Sequence, residues 1–165
     1  MNADSSDALS TKTACEIADA IAAGALTAER VTAEAIERAQ TAEPQLNAFI
    51  SLESREALDA ARSIDERLAR GERPGLLTGV PMAHKDMFYR SGRVTTCGSK
   101  IRADFVADRT STALARLDGA GAIYLGGLNM SEFAVGPFGT NVHYGTCRNP
   151  WDTARSAGGS SSGSA

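Results

Sequence analysis

Cysteine, long apolar runs and clustered positive charge are all scarce in this 165-residue chain. Cys15, Cys97 and Cys147 are odd in number, far apart and without a CxxC pair. That argues against a disulfide framework and a zinc site, and for a reducing compartment. The chain therefore reads as cytoplasmic, with no metal and no cofactor expected. Ile21 to Leu26 and Ala120 to Met130 are interrupted by glycine and fall far short of the roughly 18 to 20 apolar residues that span a bilayer. Met1 to Ser10 carries Asp4 and Asp7, lacks a basic start and precedes no apolar stretch of leader length, so neither a secretory leader nor a membrane partner is expected. Lysine is rarest among the charged residues, three against 14 arginines, and the net charge is -3 with a pI near 5.4. Nucleic acid is thus a poor default partner, and a small neutral ligand fits better.

What is present describes one ordinary soluble domain: 42% hydrophobic and 22% charged residues, enough chain to bury about 68 to 70% of its unfolded surface without a staple. Charge and glycine divide it. Residues 1–75 hold 14 acids, 8 bases and three glycines; residues 76–165 hold 6 acids, 9 bases and 13 glycines. The first part is expected to be a helical segment. Ala14, Ile17, Ala18 and Ile21 recur at helical spacing up to Gly24, and Thr27 caps a second helix with Val31, Ala35 and Ala39 inward, ended at Pro44. A half-buried stretch, Leu46 to Leu52, leads to Ser54 as N-cap of a third helix, whose stripe Ala57, Ala61, Ile64 and Leu68 closes at Gly71 and Pro74. Beyond Pro74, Val80 to Met87 reads as a strand, Thr112 to Asp118 as a helix and Ala122 to Leu125 as a buried strand. Strand, helix, strand predicts an α/β fold. From Gly136 onward regular structure is expected to fade, and the chain stops within a Gly/Ser loop, which suggests either a tail or an incomplete larger domain.

Few residues stand out chemically. Lys85 lies inside an apolar stretch between His84 and Asp86; burial would favour its neutral amine, which can act as a base, whereas pointing to solvent or pairing with Asp86 would leave it inert. Ser156 to Ser164 holds five serines and three glycines. Such a run is either a flexible linker or a place where backbone N–H groups meet an anion and hydroxyls relay a proton. Gly159 to Gly163 fits G-x-S-x-G around Ser161, but that motif needs a strand just before it, where Asn149 to Asp152 reads as a turn. His143 reads as a loop contact. Cys97 reads as a small half-buried thiol, and Asp86 with Glu132 is too little for a carboxylate dyad.

Five motifs in order, Gly79-Val80-Pro81-Met82-Ala83-His84-Lys85-Asp86, Thr95-Thr96-Cys97-Gly98-Ser99, Asn129-Met130-Ser131-Glu132-Phe133, Asn149-Pro150-Trp151 and Gly158-Gly159-Ser160-Ser161, resemble the amidase signature family along the whole chain. The resemblance implies a mixed β-sheet between helical layers, preceded by the helical segment 1–75, with residues 76–165 as the start of the α/β core. It implies hydrolysis of a small-molecule carboxamide by a Ser, cis-Ser, Lys triad. Lys85 matches the family lysine, Ser160 the bridging serine held by a cis peptide, and Ser161 a supporting hydroxyl. The stretch Phe133, Ala134, Val135 and Gly136 matches the neighbourhood of the acyl pocket. Two departures stand out. Ser162 replaces a family glycine, which would strain the turn if that position needs φ above zero. The acyl-forming serine should lie beyond Ala165, so the 165 residues are expected to be an inactive N-terminal portion of a longer amidase. The glutamine-hydrolysing subunit of a tRNA-dependent amidotransferase is a close relative, and only in that case is nucleic acid a partner. An aliphatic residue usually precedes Lys-Asp there, so His84 favours a stand-alone amidase. A homodimer and a non-catalytic binding fragment remain open alternatives.

Overall fold

Thr13 opens the first helix with a capping box: its side chain accepts from the Glu16 amide at 3.3 Å, and the Glu16 carboxylate accepts from the Thr13 amide at 2.7 Å. Donors orphaned at a helix start are thereby satisfied. In the computed structural model, which describes residues 9–165, α1 then runs Ala14–Ala22. It ends beside Gly24, whose φ of 72° supplies the left-handed turn. The leader reading of Met1 to Ser10 falls almost wholly outside the described residues.

Helix α2, Ala28–Leu46, is capped twice. Thr27 accepts from the Arg30 amide at 3.1 Å, and the Asp65 carboxylate accepts from the Ala28 and Glu29 amides at 2.7 and 3.0 Å. Pro44 does not end this helix, as the sequence suggested. It sits in the last turn, where its missing N–H costs one bond, and the chain closes at Asn47, left-handed at φ 51°, whose N–H donates to the Glu43 carbonyl at 2.9 Å. Strand β1, Phe49–Leu52, leads into α3, Ser54–Ala69. The cap of α3 is Glu53 rather than Ser54: its N–H donates to the Leu125 carbonyl at 2.7 Å, and its carboxylate meets Arg93 at 2.8 Å. The sheet, not a local side chain, sets where this helix begins.

Strand β2, Pro81–Lys85, is shorter than Val80 to Met87, because the Met87 and Phe88 amides both fold back onto the Lys85 carbonyl. Helix α4, Thr112–Gly119, crosses over to β3, Ile123–Leu128. The order β1-β3-β2, with β2 parallel and β1 antiparallel to β3, makes a mixed sheet. The β2-α4-β3 unit is the expected βα crossover. Leu9, Ile21, Ala28, Val31, Ile36, Ala57, Ala61, Ile123 and Leu125 form one core, so the N-terminal helices and the sheet share their apolar interior. Regular structure fades after Gly136 only as far as Cys147 and then resumes. Strands β4, Arg148–Asn149, and β5, Asp152–Ser156, pair as a hairpin around Pro150 and Trp151. Both are mostly exposed, so no apolar alternation announces them. Among the described residues no helix is long and apolar enough to cross a membrane.

Candidate active site

Neighbouring side chains on a strand leave by opposite faces, and the last two residues of β2 do so. His84 stacks on Tyr124, with ring centroids 4.7 Å apart. Lys85 reaches the other way, its Nζ donating to Ser160 Oγ at 2.7 Å and to Ser161 Oγ at 3.0 Å. Lys85 is thus half-buried and turned toward two serine hydroxyls rather than paired with Asp86. The Asp86 carboxylate is buried and accepts from the Thr96 amide at 2.9 Å and from the Thr96 hydroxyl. Burial pushes the Asp86 pKa up, with the two Thr96 bonds opposing, and burial alone pushes Lys85 down. A lysine so placed releases its proton more readily and can then accept one.

Ser160 is delivered by the turn that follows β5. Gly158 adopts φ 90°, the Gly159–Ser160 peptide is cis, and the Ser160 carbonyl accepts from the Ser131 amide at 3.1 Å. Gly139, which none of the five motifs includes, makes room for this turn together with Gly159. A Cβ on Gly139 would overlap the Gly158 carbonyl, and one on Gly159 would press on the Gly139 backbone and on Ser131 Oγ. Two backbone segments and the Ser131 side chain thus meet at distances that only glycine permits. Gly139 looked like one more break in a loop, and Ser131 like one polar residue in a motif; the signal for Ser131 was that motif's order, not any period, and Gly139 had no signal of its own.

The remaining candidates separate clearly. Phe133, Ala134, Val135 and Gly136 form no hydrogen bond with Lys85 or Ser160; Ser131 links this stretch to Ser160, its amide bonded to the Ser160 carbonyl and its Oγ donating to the Gly136 carbonyl at 3.2 Å. Phe133 and Val135 are exposed, and Phe133 and Ala134 hold left-handed φ values of 50° and 61°. Ser162 is buried and lies outside the left-handed region, so the expected strain does not arise; it opens a single 3-10 turn, Ser162–Ser164. A strand does precede the G-x-S-x-G run, contrary to expectation. That strand belongs to an exposed two-stranded ribbon, and Ser161 bonds to a lysine rather than a histidine, so no nucleophile elbow is built. Cys97 is half-buried and its thiol is pushed up by burial, away from the reactive thiolate. His143 is a loop contact, Nε2 lying 2.9 Å from Glu132 Oε1. Asp86 and Glu132 keep separate partners and form no dyad. No cluster of three metal-binding side chains occurs among the described residues.

Comparison with known proteins shows what the chain is similar to. A family model described as Amidase matches residues 30–165. A glutamyl-tRNA(Gln) amidotransferase subunit from Azoarcus sp. (strain BH72) is 52% identical over 130 residues, covering 79% of this chain and 26% of the relative. A chain solved in a vestigial protein complex bearing on the origins of an s-triazine catabolic enzyme superposes with a TM-score of 0.89 at 43% identity, over 93% of this chain and 34% of that one. The native peptide amidase of Stenotrophomonas maltophilia gives a TM-score of 0.86 at 30% identity, over 93% and 33%. The chain spans about a quarter to a third of the length of the relatives it matches.

Proposed function

The chain belongs to the amidase signature family, and from that premise we propose that Lys85 and Ser160 are the proton-handling half of an amide-hydrolysing site. The observation that carries this reading is the 2.7 Å contact between Lys85 Nζ and Ser160 Oγ on a lysine whose charged form is disfavoured by burial. With Lys85 neutral, Ser160 can pass its proton to Nζ while taking one from an attacking serine hydroxyl. The attacking oxygen then bonds to the amide carbon. Run in reverse, Lys85 returns the proton to Ser160, and Ser160 delivers one to the departing nitrogen, releasing ammonia or an amine and leaving an acyl ester for water to cleave. Ser161, 3.0 Å from Nζ, orients the amine. No residue of this chain is assigned as the attacking serine; in a protein of the relatives' length it lies outside these 165 residues, which alone are proposed to be inactive.

The test is release of ammonia or amine from carboxamides by the protein produced from the native gene. Lys85→Ala and Ser160→Ala should each lower turnover by about 10²- to 10⁴-fold, with the fold retained. Near-normal turnover in either variant removes the relay. A second reading, glutamine hydrolysis as part of a tRNA-dependent amidotransferase, is favoured by the 52% identity to a glutamyl-tRNA(Gln) amidotransferase subunit. His84, which had favoured a stand-alone amidase, faces Tyr124 on the side of β2 away from Ser160, so it says nothing about which amide binds. Glutaminase activity that appears only with a partner protein decides for the second reading, and partner-independent hydrolysis of other amides decides for the first.

A further inference from the structure

Glu132 takes no part in the relay, yet one oxygen of its carboxylate gathers two loops. Oε1 accepts from Ser99 Oγ at 2.5 Å and lies 2.9 Å from His143 Nε2. Ser99 is fully buried and ends the Thr95–Ser99 turn. His143 belongs to a loop organised by Asn141, whose Oδ1 accepts from the His143 and Tyr144 amides and whose Nδ2 donates to the Gly98 and Met130 carbonyls. The backbone on either side of Glu132 is equally committed. The Ser131 amide donates to the Ser160 carbonyl, and the Phe133 amide donates to the Cys97 carbonyl. Glu132 therefore stands where the chain leaves Ser160 and enters the exposed stretch Phe133–Gly136. Two consecutive non-glycine residues there, Phe133 and Ala134, are left-handed, a state that persists only where the surroundings enforce it.

We infer that Glu132 is a positioning residue: by clamping Ser99 and His143 it fixes the Phe133–Gly136 loop beside Ser160, presetting that loop against a bound amide. The amide rests on the amidase reading; the clamp does not. Two measurements on the protein from the native gene separate them. In kinetics, Glu132→Ala should raise KM by about tenfold with kcat within about twofold, since it loosens the loop and spares the relay. Glu132→Gln, whose amide oxygen still accepts from both donors, should restore KM. In amide hydrogen exchange, Phe133, Ala134 and Val135 should exchange faster in Glu132→Ala but not in Glu132→Gln. His143→Ala, at a partly exposed side chain, removes one donor without threatening the fold and should give a smaller change of the same kind. Unchanged exchange at those three amides in both alanine variants overturns the clamp, as does a fall in kcat with KM unmoved. If the wild type hydrolyses no carboxamide, the amidase reading fails, and the exchange arm still decides on the clamp.

Discussion

A lysine that has lost hydration gives up its proton below its ordinary 10.5, and burial puts Lys85 in that state. The folded state then binds fewer protons than the unfolded one between the lowered pKa and 10.5, so this residue's contribution to stability rises with pH across that window. Turnover should rise with pH through the same lowered pKa, and Lys85→Arg, which stays charged, should abolish both the activity and that limb of the pH–rate profile. Glu132 runs the other way. The Ser99 hydroxyl, and then His143, hold its carboxyl below 4.5 against some desolvation. Its contribution is complete above 4.5 and is lost as pH falls through the depressed value. Melting temperatures of wild type and Glu132→Gln followed against pH should therefore show a difference that vanishes in acid; a gap independent of pH contradicts the assignment. Lys85 was visible in the sequence as a rare lysine in an apolar stretch, and Ser160 through its motif. Glu132's role was not, because its partners lie 33 and 11 residues away and nothing local marks the contact.

Each helix began for a reason, and the reasons differ in how visible they were. Thr13 and Thr27 are local caps, and Thr27 was legible as one from its place before an apolar-periodic run. Asp65 caps the same helix from 37 residues away, where no spacing rule looks. Asp65→Ala leaves two helix-start amides without a partner and should lower stability by about 1 to 2 kcal/mol in urea unfolding; an unchanged midpoint contradicts that. Strand β3 was seen only to Leu125 because Gly126 and Gly127 carry no apolar pattern. Gly126 is there because the β1 backbone lies close, where a Cβ would overlap the Ser51 carbonyl; a Cβ on Gly127 would press on the Asp86 carboxylate instead. Gly126→Ala should thus split the β1–β3 pairing and yield little folded protein, read by circular dichroism, whereas Gly119→Ala, with open space around it, should fold normally. The β4–β5 hairpin escaped notice for a related reason, since a short exposed ribbon has no buried face to alternate with.

For the whole molecule, the α/β class and the βα crossover followed from the alternation of apolar runs, while the sheet's mixed character came from β1 pairing across the sequence halves. The same interior that unites those halves leaves other apolar groups outside. Phe133, Val135, Phe138, Val142 and Trp151 are exposed, the last at 96%. Phe133, Val135 and Phe138 fall within six residues of one loop, and apolar surface gathered in that way favours association, so the 165-residue chain alone should self-associate in size-exclusion chromatography with light scattering; a clean monomer with a cooperative melt contradicts this. Asn129 shows how the segments are tied. It is fully buried, its Nδ2 donates to the Asn47 and Gly145 carbonyls, and its Oδ1 accepts from the Met130 amide. The Lys85–Ser160 contact spans 75 residues of chain, and that separation has a kinetic side. A ribosome that has just released Lys85 has made one half of a pair whose other half is still unwritten. Closing so long a loop comes after the local helices and β2–β3 have formed, since the entropy of closure must be met before distant contacts repay it. Before the Gly158–Ser160 turn docks, the lysine is thus an ordinary solvated ammonium, and the base proposed for it exists only once that contact has closed.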